Sequence, residues 1–366
     1  MHARLFFARS RSLSIGIVLT FVLLFMQTGI TFAHSNASTG FYQETNLVSD
    51  LPGVAAVTDP HLVNPWGISL SSTSPFWVAD NGTGVSTLYD GQGQPIPLVV
   101  TIPSSASSPV SLPTGTVFNT FSSSGAFPVS ANGVSGPSLF LFDTLTGTIS
   151  GWNPTVDGTQ AIVAVDNSKA GAVYTGLAIG SNSAGPLLFA ANFSAGTVDV
   201  FDQHFAPATL QGTFHDSRIP KGYAPFNIQN IGGQLYVLYA RQDLKVGKGH
   251  GFVDIFDTDG NLVKRLISHG PLNLPWGVAL APADFGRFSN DLLVGNFGNG
   301  RINAFNPTTG ASLGVLKDQD GEPFVFDKLW ALTFGNGGRG GQTNQLFFTA
   351  GIENQKHGLF GVINAM

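Results

Sequence analysis

The chain is predicted to be an all-β, six-bladed β-propeller whose ring is closed by an N-terminal strand completing the last blade. Three observations predict it. The first is a repeat. Pro65-Trp66-Gly67-Ile68-Ser69-Leu70 recurs as Pro275-Trp276-Gly277-Val278-Ala279-Leu280, with weaker copies at Pro113-Thr114-Gly115, Tyr174-Thr175-Gly176, Pro225-Phe226-Asn227 and Leu329-Trp330-Ala331. The central positions, 66, 114, 175, 226, 276 and 330, lie 48, 61, 51, 50 and 54 residues apart. A period of about 50 residues built from short strands is that of a propeller, one copy per blade. The second is a companion motif that ends a later strand: Ala79-Asp80-Asn81, Phe142-Asp143-Thr144, Ala191-Asn192-Phe193 and Gly295-Asn296-Phe297. Eight or nine residues on, each is followed by an aromatic, as at Tyr89-Asp90 and Phe305-Asn306. The third is composition. Only 11% of residues are charged, against 46 Gly and 21 Pro, which suits many hairpins and few helices.

Each repeat reads as four strands, A to D. In the first blade A is 66–70, B is 76–79, C is 85–89 and D is 96–100. The final repeat, from Leu329, reaches Ile363 with three strands and no room for a fourth. The stretch Phe41–Asp50 has strand character and no blade of its own, so it is expected to supply the missing outer strand. Ring closure of this kind removes open sheet edges. The Ser- and Pro-rich segments 104–113 and 122–135 read as excursions from the second blade.

Residues 1–33 have the pattern of a signal peptide: Arg4, Arg9 and Arg11, an apolar run from Gly16 to Met26, and Thr31-Phe32-Ala33 before the expected cleavage. Residues 34–40 then form a flexible N-terminus and 41–366 a single propeller domain. The expected location is secreted or cell-envelope, with no membrane span after cleavage. The alternative is an uncleaved anchor, for which the run is short. Net charge is −5. Losing the leader makes the chain three charges more negative, which argues against nucleic acid as a partner. There is no cysteine, so disulfides, thiolate metal sites and Cys nucleophiles are excluded.

The motif order Pro-x-Gly-Ile/Val, Ala-Asp-Asn and aromatic-Asp resembles the NHL-type repeat. Asn46-Leu47-Val48-Ser49-Asp50-Leu51-Pro52-Gly53 and Asp59-Pro60-His61-Leu62-Val63-Asn64-Pro65-Trp66-Gly67 resemble, more closely, a family of exported bacterial propellers of unknown function. The resemblance covers about 41–363. It implies six blades and export, and carries no catalytic residue with it.

Candidate chemistry gathers where strand A starts. Trp66, Phe226, Trp276 and Trp330 are expected to form an aromatic ring at the channel mouth, able to stack on a flat ligand, or else to pack between blades. The next position is Gly67, Gly115, Gly176, Gly277 or Ala331, small because six backbones converge there, with Asn227 as the exception. His61 and His269 precede the two best repeats and are candidates for ligand binding or proton transfer. Asp80, Asp143, Asn192, Asn296 and Asn227 are candidate oxygen ligands for Ca²⁺ or another divalent cation. The alternative is that they cap their own turns. No cofactor is evident in the sequence. The turns Asp257–Asn261 and Asp318–Glu322 carry Gly in the fourth place, unlike an EF-hand loop. The loop Arg241–Gly251 is the densest positive patch and suits an anionic partner.

The expected function is therefore that of an exported binding or scaffold module, expected to be a monomer, for a glycan, peptide or cell-envelope component. The alternative is a metal-assisted lyase or lactone hydrolase with its site at the channel mouth.

Overall fold

A computed structural model describes residues 40–366; the leader and residues 34–39 lie outside the described residues. The described chain is a ring of six antiparallel blades. Blade one is Pro65–Ser69, Phe76–Asp80, Val85–Tyr89 and Val100–Thr101. Blade two is Pro113–Phe118, Phe140–Thr144, Thr148–Trp152 and Ile162–Asp166. Blade three is Tyr174–Asn182, Gly185–Asn192 and Thr197–Asp202. Blade four is Tyr223–Ile231, Gln234–Arg241, Phe252–Phe256 and Leu262–Ser268. Blade five is Pro275–Leu280, Leu292–Asn296, Ile302–Phe305 and Ser312–Val315. Blade six is Leu329–Phe334, Leu346–Ala350 and Leu359–Ala365, completed by Tyr42–Ser49.

The closing strand pairs antiparallel with the last one, from Tyr42 opposite Ala365 to Ser49 opposite Leu359. This is the predicted closure. Both its ends are held by side chains too: Ser49 Oγ donates to Gly358 O at 2.7 Å, and Tyr42 OH donates to Phe285 O at 3.1 Å in blade five. Between blades the core is apolar and aromatic, as in the group of Phe76, Tyr89, Phe347 and Phe360 where blades one and six meet.

Two expectations about strand D need correction. In blade one the strand expected over 96–100 is reduced to Val100–Thr101 plus a single bridge from Tyr89 to Pro95. Pro95 and Pro97 have no N–H to give a ladder. In blade three the fourth strand is replaced by one bridge, Phe201 to Pro207, and the bond from Ala208 N to Val200 O at 2.8 Å. The excursion in blade two contains its own hairpin, Pro128–Ala131 with Val134–Pro137.

All six inner strands carry a register shift against strand B near their start: between Pro65 and Ile68, Pro113 and Thr116, Tyr174 and Leu177, Pro225 and Asn227, Pro275 and Gly277, and Leu329 and Leu332. Such bulges re-aim side chains and release backbone groups from the ladder. Here they turn the repeat positions 66, 114, 175, 226, 276 and 330 toward the axis. The small residue that follows is required by the neighbouring blade. A Cβ added to Gly67 would lie 2.6 Å from Thr114 O, and one added to Gly277 would lie 2.5 Å from Trp330 O. Gly277→Ala should therefore destabilise the chain by about 1–3 kcal/mol through overpacking. Gly158→Ala, on an exposed loop with Pro154 O as its nearest neighbour at 4.0 Å, should change it by less than about 0.5 kcal/mol. Denaturant melts of the two variants check this.

Candidate functional site

At the end of the axis where strands A begin, the four predicted aromatics meet. Trp66 stacks on Trp330 with centroids 3.5 Å apart, and Trp276 stands edge-on to both, at 6.1 and 5.6 Å. Phe226 lies 6.0 Å from Trp330, and Phe297, from the B–C loop of blade five, lies 4.4 Å from it. None is more than 6% exposed. The rings face one another, so they close the mouth rather than stand open around it. Three indoles fit because blades two and three present Thr114 and Thr175 at the same position. Trp276 Nε1 reaches past the axis to donate to Thr175 O at 2.9 Å, and Trp330 Nε1 donates to Asn64 Oδ1 at 3.1 Å. The indole N–H of Trp66 has no partner among the described residues.

The polar groups around this plug tie blades together. Thr114 Oγ1 donates to Tyr174 O at 2.9 Å, Asn227 Nδ2 to Trp276 O at 2.8 Å, and Thr349 Oγ1 to Trp66 O at 2.6 Å. Each bond satisfies a carbonyl near the bulge of the following blade. Asn227 thus fills the place of a glycine by bonding across the seam, and its Oδ1 accepts from Ile228 N at 2.8 Å.

The remaining candidate ligands sit in separate blades. Asp80 Oδ2 accepts from Thr87 N at 3.0 Å and from its hydroxyl at 2.8 Å. Asn192 Oδ1 accepts from Val173 N and Ser194 Oγ, and Asn296 Oδ1 from Asn273 N. The two asparagines hold loop backbone, as the turn reading expects, whereas Asp80 bonds across to Thr87 within strand C. Asp143 is a correction. The sequence aligned it with Asp80, but the ladder pairs Asp80 with Pro65 and Thr144, not Asp143, with Pro113. The B–C loop of blade two is one residue shorter, so Asp143 points to the opposite face. Its Oδ1 accepts from Gly115 N at 2.5 Å, as Thr349 Oγ1 accepts from Ala331 N in blade six, and lies 2.7 Å from Thr114 Oγ1. Among the described residues no group of three His, Asp or Glu side chains is placed to hold a metal.

His61 and His269 are both exposed on loops that lead into strand A. They have different local partners. His61 Nδ1 meets Asp59 Oδ1 at 2.9 Å, and His269 Nδ1 meets Gly249 O at 2.8 Å beside the Phe252 ring. On the same face the blade-four loop is pinned by Gly247 N to Asn273 Oδ1 at 2.8 Å, and by the pair of Arg241 with Asp243. Leu244 and Val246 are 44% and 50% exposed there. Lys245 and Lys248, beside them, make no ion pair among the described residues. The turns at Asp257 and Asp318 are closed by their own carboxylates, which accept backbone N–H bonds from two and four residues on.

Behind the plug the axis narrows to about 20 Å³ between Trp276, Asn227 and the glycines, then widens into a cavity of about 220 Å³ at the other face. Five blades line it, with Ser69, Thr116, Ile179, Gln229, Asn230 and Thr333 among them. The sequence reading missed Gln229. Its signal was the second polar residue, two places after Asn227, on the same face of an inner strand.

Buried carboxyls set a pH dependence. Burial raises Asp143 to about 6 and holds Asp80 well above its usual range. Burial, with Asp216 adding to it and Arg265 opposing it, raises Asp254 to about 7. Each holds its proton in the folded chain where the unfolded chain has lost it, so its stabilisation is complete below about pH 4 and is lost as pH rises through the folded value. The melting temperature should fall between about pH 4 and about pH 7, from the unfolded to the folded values, and Asp143→Asn with Asp254→Asn should flatten that fall. Trp330→Ala should cost about 3–5 kcal/mol by emptying the plug, as calorimetry would show.

No protein-family model matches the chain. Among solved structures it is similar to virginiamycin B lyase from Staphylococcus aureus, at 12% identity and a TM-score of 0.47 over 89% of this chain and 99% of that one. It is also similar to a chain of the nidogen/laminin complex, at 12% identity and a TM-score of 0.48 over 74% and 84%. Likeness at that level carries no functional weight. Sequence relatives are closer, and they are viral where the motif resemblance implied bacteria. The uncharacterized protein R648 of Acanthamoeba polyphaga mimivirus is 36% identical over 329 residues, 87% of this chain and 78% of that protein. The uncharacterized protein L690 of the same virus is 34% identical over 327 residues, 86% and 83%. Identity of this extent, along nearly the whole propeller, places the chain in one family with R648 and L690.

Proposed function

We propose that the chain is an exported, non-enzymatic binding module with NHL-like blades, and that it meets an acidic glycan or other anionic cell-envelope component through its loop-bearing face. The observation that carries this is the blade-four loop. Leu244 and Val246 stand exposed between Lys245 and Lys248 on a backbone that Asn273 holds in place. Aliphatic side chains beside free cations, on a chain of net charge −5, form a localised surface for an anionic partner, and rigidity lowers the entropy lost on docking.

What supports binding over a metal-assisted lyase or lactone hydrolase is the use made of the candidate ligands. Asn227, Asn192, Asn296, Asp80 and Asp143 lie in different blades and each holds backbone or hydroxyl groups. A lyase would need several of them to converge on one reacting atom.

The test is retention on an immobilised acidic polysaccharide across a salt gradient. The wild-type chain should bind and elute with rising salt. Lys245→Gln with Lys248→Gln should weaken binding by about tenfold or more, and Leu244→Ser with Val246→Ser should weaken it at constant salt dependence. Retention of both variants equal to that of the wild-type chain would reject the loop as the contact.

A further inference from the structure

The opening on the other face differs from the loop-bearing one in shape and in chemistry. We propose that the lower axial cavity is a binding site for a small, uncharged, hydroxylated ligand of one or two sugar rings. This site does not rest on the role given to the loops.

The aromatic plug makes the cavity blind, so a ligand that enters from below is enclosed by the inner strands and not swept through a channel. The cavity of about 220 Å³ has room for one ring. An adjoining crevice of about 310 Å³ shares Thr120, Ile179 and Asn230 with it, which extends the space over blades two to four. No Asp, Glu, Lys, Arg or His lines either space. An ionic ligand would lose hydration there with no opposite charge to replace it. A hydroxylated neutral one would meet hydroxyls and amides on an aliphatic wall.

Gln229 points to an occupant. Its neighbours are already paired: Ser69 Oγ with Thr116 Oγ1 at 3.0 Å, and Asn230 Nδ2 with Ile179 O at 2.8 Å. Gln229 lines both the cavity and its neck, is exposed, and none of the side-chain hydrogen bonds of the described residues engages its amide. A primary amide offers a donor and an acceptor side by side, which matches the neighbouring hydroxyls of a sugar. The hydroxyl of Thr333 across the mouth is likewise free of side-chain partners and adds a second contact from blade six.

The experiment is saturation-transfer NMR and calorimetry of the full chain. The probes are neutral mono- and disaccharides, each matched with its uronic acid or amino sugar. At least one neutral sugar should bind, at least about tenfold more tightly than its charged counterparts. Gln229→Ala should weaken that sugar by about tenfold, with the ligand-free melting temperature unchanged. Thr333→Phe should abolish binding by filling the mouth, while Lys245→Gln with Lys248→Gln should leave it intact. Absence of any neutral sugar binding up to about 10 mM would mean that the cavity holds water alone and would overturn the proposal. So would charged sugars binding as well as neutral ones, or an unchanged affinity in Gln229→Ala.

Discussion

Six inner strands approach one axis, and almost everything distinctive in the sequence follows from the crowding there. Where a Cβ added to Gly67 or Gly277 would strike the next blade's carbonyl, no larger residue fits. One residue earlier, the bulge turns a side chain inward. If all six were large they would collide. If all were small, the axis would be a water-filled bore. The chain divides them instead: Trp66, Trp276, Trp330 and Phe226 from one side of the ring, Thr114 and Thr175 from the other. The indoles lean over the threonines, and Trp276 takes a hydrogen bond site on Thr175 O. The backbone released by the bulges is then recovered by Thr114, Asn227 and Thr349 across three seams. Packing and hydrogen bonding are thereby satisfied together, as a buried polar network requires.

The repeat, the blade count, the closure by residues 42–49 and the need for small residues at the axis were all legible in the sequence, because each leaves a periodic trace. Exposure was not. Four aromatics at a predicted channel mouth read equally as a platform or as a plug, and the difference depends on how far rings from opposite blades reach. A repeat motif shows that Trp66 and Trp276 are equivalent; it does not show that they touch. Asp143 illustrates a second limit. One residue fewer in a hairpin loop moves a carboxylate to the other side of its strand while the local motif still looks the same. Gln229 illustrates a third, since its repeat position is Ser69, Val117, Ala178, Ala279 and Thr333 in the other blades, a mixture with no consensus to mark it.

The solid hub separates the two faces of the propeller. Above it, loops capped by their own Asp and Asn side chains form a stiff surface with one cationic and aliphatic promontory at Leu244–Lys248. Below it lies a small neutral recess walled by five blades. A single axial plug allows one fold to offer two unlike surfaces with no passage between them. Each can then vary without disturbing the ring, because the hub and not the loops fixes the position of the blades.

The most direct measurement of that hub is tryptophan accessibility. The chain has five tryptophans, Trp66, Trp77, Trp152, Trp276 and Trp330. Replacing Trp77 and Trp152 by Phe leaves only the three axial indoles. A sealed plug predicts blue-shifted emission that acrylamide and iodide barely quench until the chain is unfolded. Efficient quenching of the folded protein would mean that the rings stand open to solvent, and would contradict the account of a closed axis.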